Sequence, residues 1–144
     1  MADYLLDQSR SEIGDLRTIL ESLPESTIKT VLKMAEVTAE GIINGKVVFT
    51  CGNGGSAADA QHIAGELVGR FRRKKVHDYK AIALTTNSSV VTALANDFSY
   101  REIFSKQLES RGETGDILLS LSTSGNSPNT VRAAEEAGKL GMIT

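Results

Sequence analysis

The sequence holds a single cysteine, Cys51, which excludes an internal disulfide and fits a reducing compartment. It has no excess of positive charge. Sixteen Lys and Arg stand against 18 Asp and Glu, a formal charge of −2 that argues against a nucleic-acid or polyanion binder. The one basic run, Arg70-Phe71-Arg72-Arg73-Lys74-Lys75, reads as a solvated helix end and loop, with steering of an anionic substrate as the alternative. No apolar stretch approaches the roughly 18 residues that would read as a membrane span. Met1-Ala2-Asp3-Tyr4 lacks the basic and apolar regions of a signal peptide. Repeats and low-complexity segments are absent as well. These absences point to a soluble, cytoplasmic chain. Its 144 residues, 40% of them apolar, suffice for one core.

Two amphipathic helices open the chain. Leu5, Ser9, Ile13, Leu16, Leu20 and Leu23 fall at alternating four- and three-residue steps, and Pro24 breaks the pattern. A second stripe, Ile28, Val31/Leu32, Ala35, Ala39 and Ile42/Ile43, runs to a helix stop at Asn44-Gly45. Residues 1–45 are therefore expected to form a helical oligomerisation segment, the first stripe packing on a partner subunit or on its own domain. From residue 46 the pattern alternates: strand 46–51, helix 56–70, strand 80–85, helical stretches 90–95 and 100–109, strand 116–121 and helix 128–140. Met142-Ile143-Thr144 reads as the opening of a fourth strand. Near-continuous apolar strands between helices predict an α/β domain over 46–144, helices flanking a parallel sheet.

Three constellations carry chemistry. The strand at Val47–Cys51 stops at Gly52-Asn53-Gly54-Gly55-Ser56, ahead of a helix-compatible Ala57-Ala58-Asp59. Glycines let backbone approach a ligand, and free amides at a helix start favour an anion such as a phosphate. The second is Ser122-Thr123-Ser124-Gly125-Asn126-Ser127-Pro128-Asn129, after strand three. Ser127 suits an N-cap and Pro128 the first helical position, and hydroxyls beyond what a cap needs suit a phosphate monoester. Both turns follow strands, so they gather at one sheet edge. The third is Asp59-x-x-His62-x-x-x-Glu66-x-x-x-Arg70, four side chains with helical spacing on one face. His62 and Glu66 can ligate one metal, or Glu66 can act as a general base, or the face is only solvated. A Walker loop is excluded because no lysine follows Gly55-Ser56. Gly52-x-Gly54-x-x-Ala57 fits the loose dinucleotide fingerprint, yet Thr85-Thr86-Asn87 supplies no acidic residue for a ribose. Cys51 reads as a core residue, and His77 as solvent-facing.

Cys51-Gly52-Asn53-Gly54-Gly55-Ser56, His62, Glu66-Leu67 with Gly69-Arg70, Asn96-Asp97-Phe98 and Leu121 to Ser127 together resemble one family. It is the sedoheptulose 7-phosphate isomerase group of the sugar-isomerase (SIS) superfamily. The resemblance runs along essentially the whole chain. It implies a flavodoxin-like three-layer sandwich and a homotetramer with active sites at subunit interfaces. It also implies a zinc-dependent aldose–ketose isomerisation giving D-glycero-D-manno-heptose 7-phosphate for surface-glycan (lipopolysaccharide heptose) synthesis. By motif, Ser122, Thr123, Ser124 and Ser127 would hold the phosphate. Asn53, Gly54, Gly55, Ser56, Asn96 and Asp97 would contact the sugar, and Arg70 would line the site. His62 and Glu66 would ligate zinc, Glu66 doubling as substrate contact and proton-transfer base. Members continue through a C-terminal segment whose Gln and His complete the zinc site. Those residues are missing from this sequence, so the chain is expected to be an incomplete fold that does not turn over substrate by itself. Non-catalytic alternatives within the superfamily are a replication-initiator-associating protein, which lacks a glutamate matching Glu66, and a sugar-phosphate-binding regulatory module.

Overall fold

The computed structural model describes residues 1–69 and 79–144. The basic run, Arg70 with it, and His77 lie outside the described residues. Helices α1 (Ala2–Glu21) and α2 (Glu25–Ile43) are parted at Pro24, where the sequence expects a break. The Pro24 carbonyl accepts from the amides of Thr27 and Ile28 at 2.9 and 3.4 Å, so the residue that ends one helix starts the next. The chain divides into two compact units, Met1–Val37 and Thr38–Thr144. In the first, Leu5, Ile13, Leu16, Leu20 and Leu23 are all at least 42% exposed. The apolar stripe read from the sequence thus stays exposed in this unit.

The second unit is built on three parallel strands, β1 (Val47–Cys51), β2 (Lys80–Ala83) and β3 (Ile117–Ser120), in the order β2-β1-β3. Val48 pairs with Ala81 on one side and Ile117 on the other. Ile143 bridges Ile117 in parallel, its amide on the Asp116 carbonyl at 2.8 Å, so the expected fourth strand opens beside β3. Side chains alternate along β1. Thr50 turns to α3 (Gly55–Val68), where its hydroxyl donates to the Ala60 carbonyl at 2.8 Å. Phe49 and Cys51 turn the other way, into a cluster with Leu108 of α5 (Ser105–Arg111), Leu118 of β3, and Ala133 and Ala137 of α6 (Pro128–Lys139). Alanines let the helix backbone approach closely, and each large side chain buried there contributes about 2–3 kcal/mol. Helices therefore cover both faces of a parallel sheet, the α/β architecture the sequence predicts.

Two local features complete the frame. The single helix expected over 100–109 is instead a 3-10 turn, Tyr100–Glu102, followed by α5. The break falls where Ile103 and Phe104, each 1% exposed, turn into the core. The Ser105 hydroxyl donates to the Glu102 carboxylate at 2.7 Å and Arg132 Nε at 3.3 Å, which ties the turn to α6. That hydroxyl, then Arg132, holds the Glu102 carboxyl below its usual range. Cys51 is fully buried, and burial pushes its thiol up to about 11, with the Ser120 hydroxyl at 3.5 Å pulling weakly the other way. It is an inert core residue, as its sequence context suggests.

Candidate active site

In the order β2-β1-β3 the chain leaves β1 toward one side and returns to its other side, so the switch point lies between β1 and β3. Open α/β sheets bind ligands there, outside the strands' carboxyl ends. The segments at that point are the glycine turn after β1 and the hydroxyl turn after β3.

The glycine turn is dictated by two close requirements. Gly54 sits at φ 54°, ψ −120°, a conformation that a side chain strains, and it is the residue before α3. A Cβ on Gly52 would lie 2.6 Å from the Ser56 carbonyl oxygen, so strand and helix meet at backbone distance. Gly54 offers no side-chain cap; the Ala57 and Ala58 amides donate to its carbonyl at 3.1 and 3.2 Å, which leaves the amides of Gly55 and Ser56 without a partner in the helix. The turn is therefore an open set of N–H donors. Gly52→Ala is expected to lower stability by about 1–3 kcal/mol through overpacking. Urea unfolding measures it, and an unshifted midpoint would mean the turn relaxes at no cost.

The hydroxyl turn closes on itself. Ser122 Oγ lies 3.0 Å from Ser127 Oγ and 3.4 Å from Ser124 Oγ, and the Asn126 amide donates to Ser124 Oγ at 3.2 Å. Ser127 takes the N-cap position of α6, but its hydroxyl makes no capping bond. It turns to Ser122 instead, which leaves three hydroxyls in one place beside a helix N-terminus. Thr123 and Ser124 are exposed, so the cluster is open to a ligand.

The two turns are joined. Asn53 Nδ2 donates to Asn129 Oδ1, and Asn129 Nδ2 donates back to Asn53 Oδ1, both at 2.8 Å. Tyr100 adds its hydroxyl to Asn53 Oδ1 at 3.2 Å. Tyr100 does not stand out in the sequence, and Asn129, although it closes the hydroxyl motif, has no role assigned to it there. Asn129 reads as a polar residue in the first turn of a helix, and only the strand order brings it to residue 53.

Asn96 and Asp97 end α4 (Ser88–Asp97), both exposed, with Asn96 Nδ2 donating to Asp97 Oδ1 at 2.9 Å. The chain then turns back, and Tyr100 reaches the glycine turn. His62 and Glu66 share one face of α3, with Nε2 and Oε1 3.8 Å apart and side chains 74% and 38% exposed. Glu66 lies eleven residues beyond Gly55, about 16 Å along the helix, so the start of α3 at the turn does not carry Glu66 to its own chain's turns. A zinc ion needs about three or four ligands. Among the described residues no third His, Cys, Asp or Glu gathers with His62 and Glu66, so those residues do not fit a zinc site on their own. No helix is long and apolar enough to cross a membrane among the described residues.

Comparison with known proteins identifies the family and the fold. The family model of the SIS domain matches residues 13–144. The phosphoheptose isomerase of Shewanella denitrificans is 50% identical over 137 residues, covering 95% of this chain and 67% of that one. The phosphoheptose isomerase of Maridesulfovibrio salexigens is 44% identical over 126 residues, covering 88% of this chain and 61% of that one. The chain thus spans about two-thirds of the length of these relatives. Among solved structures, a phosphoheptose isomerase from Francisella tularensis superposes with a TM-score of 0.83 at 34% identity, over 97% of this chain and 71% of that one. Another, from Neisseria gonorrhoeae, gives 0.78 at 35% identity, over 97% and 70%. By sequence and by fold, the chain belongs to the SIS-domain family and, within it, to the phosphoheptose isomerases.

Proposed function

We propose that this protein converts sedoheptulose 7-phosphate to D-glycero-D-manno-heptose 7-phosphate by proton transfer through an enediolate, supplying activated heptose for surface glycans in the cytoplasm. The observation that carries this reading is the pair of polar turns at the sheet's switch point, laced together by Asn53 and Asn129. A sugar phosphate has two ends to hold. The hydroxyls of Ser122, Thr123, Ser124 and Ser127, with the N-terminus of α6, take the phosphate. Asn53, Gly54, Gly55 and Ser56, with Asn96, Asp97 and Arg70, take the sugar.

The reaction moves one proton from C1 to C2 and a second between the two oxygens. The Glu66 carboxylate removes the C1 proton and returns it to C2, and N–H donors at the glycine turn stabilise the charge on the enediolate oxygens. Because Glu66 stands about 16 Å along α3 from its own turn, the carboxylate that serves a given turn comes from a neighbouring copy. The exposed stripe of α1 is the surface through which copies associate, a tetramer in this reading. A zinc ion belongs to the same proposal with His62 and Glu66 as two of its ligands, and its chemistry when bound would be charge stabilisation at the sugar oxygens.

Ser124→Ala tests the phosphate end. Loss of a hydrogen bond to a charged group, about 1.5–3 kcal/mol, is expected to weaken sedoheptulose 7-phosphate binding about ten- to a hundredfold. Titration calorimetry reads it, and an unchanged affinity would remove the hydroxyl turn from the proposal.

A further inference from the structure

We infer, resting on the isomerase reading above, that Asn129 is a positioning residue that presents Asn53 to the sugar as a hydrogen-bond donor only. A side-chain amide carries two lone pairs on oxygen and two hydrogens on nitrogen. Both lone pairs of Asn53 Oδ1 are engaged, one by Asn129 Nδ2 at 2.8 Å and one by the Tyr100 hydroxyl at 3.2 Å. One hydrogen of Asn53 Nδ2 goes to Asn129 Oδ1 at 2.8 Å. One N–H remains. It meets an oxygen lone pair, whether on a carbonyl, a hydroxyl or an enediolate. It refuses a group that can only donate, such as an ammonium. The contact therefore selects an oxygen over a protonated amine at the carbon it faces.

Asn129 is 2% exposed and cannot reach a ligand itself. Its effect passes through Asn53, 76 residues away in sequence, and the reciprocal pair fixes which end of the Asn53 amide points outward. A lone Asn53 would turn over freely and offer either end.

The variant Asn129→Asp separates this role from simple packing. A protonated carboxyl reproduces both bonds, its O–H donating to Asn53 Oδ1 and its carbonyl oxygen accepting from Nδ2. An ionised carboxylate only accepts, so it faces Asn53 Oδ1 oxygen to oxygen and releases the amide. The Tyr100 hydroxyl is the titratable group that meets the pair. Burial raises an aspartate's titration into the range of about pH 5 to 8. Calorimetry with sedoheptulose 7-phosphate and with inorganic phosphate gives the sugar preference as the ratio of the two affinities. Relative to wild type at the same pH, the variant is expected to keep that ratio at the acidic end and lose about tenfold at the alkaline end. Inorganic phosphate binding, retained throughout, reports that the fold is intact. A variant ratio that does not move with pH, whether high or low, overturns the positioning role alone. A wild-type protein with no preference for the sugar phosphate overturns the isomerase reading, and this inference with it.

Discussion

Glu66→Gln is expected to lower turnover of sedoheptulose 7-phosphate by about a hundred- to ten-thousandfold, the range seen when a positioned general base is lost. The substitution keeps the shape of the side chain and its reach toward His62, 3.8 Å away. What it removes is the proposed capacity to take a proton from carbon. The Michaelis constant should change little, because the proposed contacts to the phosphate and most of those to the sugar are made by other residues. A stopped assay for aldose formation, run on the intact protein, separates the two parameters. Wild-type turnover in the variant would assign the proton transfer to another group.

The second large effect concerns where that carboxylate comes from. Glu66→Gln and Ser124→Asp are each expected to be inactive, the first for want of a base and the second because a new negative charge repels the phosphate. Co-expression of the two should restore activity. In a symmetric assembly whose sites draw the base from one copy and the hydroxyl turn from another, about a quarter of mixed sites hold both intact groups. The reason lies in the length of α3: at 1.5 Å per residue, Glu66 stands about 16 Å from the turn that starts its own helix. Hybrids as inactive as their parents would show that base and phosphate turn come from one chain, and the shared site would have to be abandoned.

Much of this arrangement is legible in the residues, and the failures have physical causes. The β-branched run Val47-Val48, stopped by glycines, announces a strand, a tight turn and a helix, and the structure has all three. Which side of β1 meets which helix is not legible, because a strand apolar on both faces carries no alternation to read. That Phe49 joins the α5–α6 layer while Thr50 joins α3 comes only from the pairing register. The segment 100–109 has the composition of one helix, yet Ile103 and Phe104 are taken by the core and the helix splits around them. Tertiary burial outweighs local propensity there.

The site divides the same way. The hydroxyls of the second turn are conspicuous because a cap needs one and the sequence supplies several. Their mutual contacts, and the turning of Ser127 away from its capping role, depend on a loop geometry that no spacing encodes. Asn129 is hidden for a different reason. Its partner is 76 residues away, and nothing local marks it apart from other polar residues at a helix start. Only a sheet that crosses over between β1 and β3 makes the two neighbours.

The held amide also bears on how the protein ages. Asparagine followed by glycine deamidates when the backbone nitrogen of the glycine closes onto the side-chain carbonyl carbon. Asn53-Gly54 and Asn44-Gly45 are both such sequences. At Asn53 three hydrogen bonds clamp the amide in place, and the swing needed for cyclisation is blocked. Asn44, exposed just beyond the end of α2, has no such clamp among the described residues, so chemical wear falls on a helix terminus and spares the asparagine of the glycine turn.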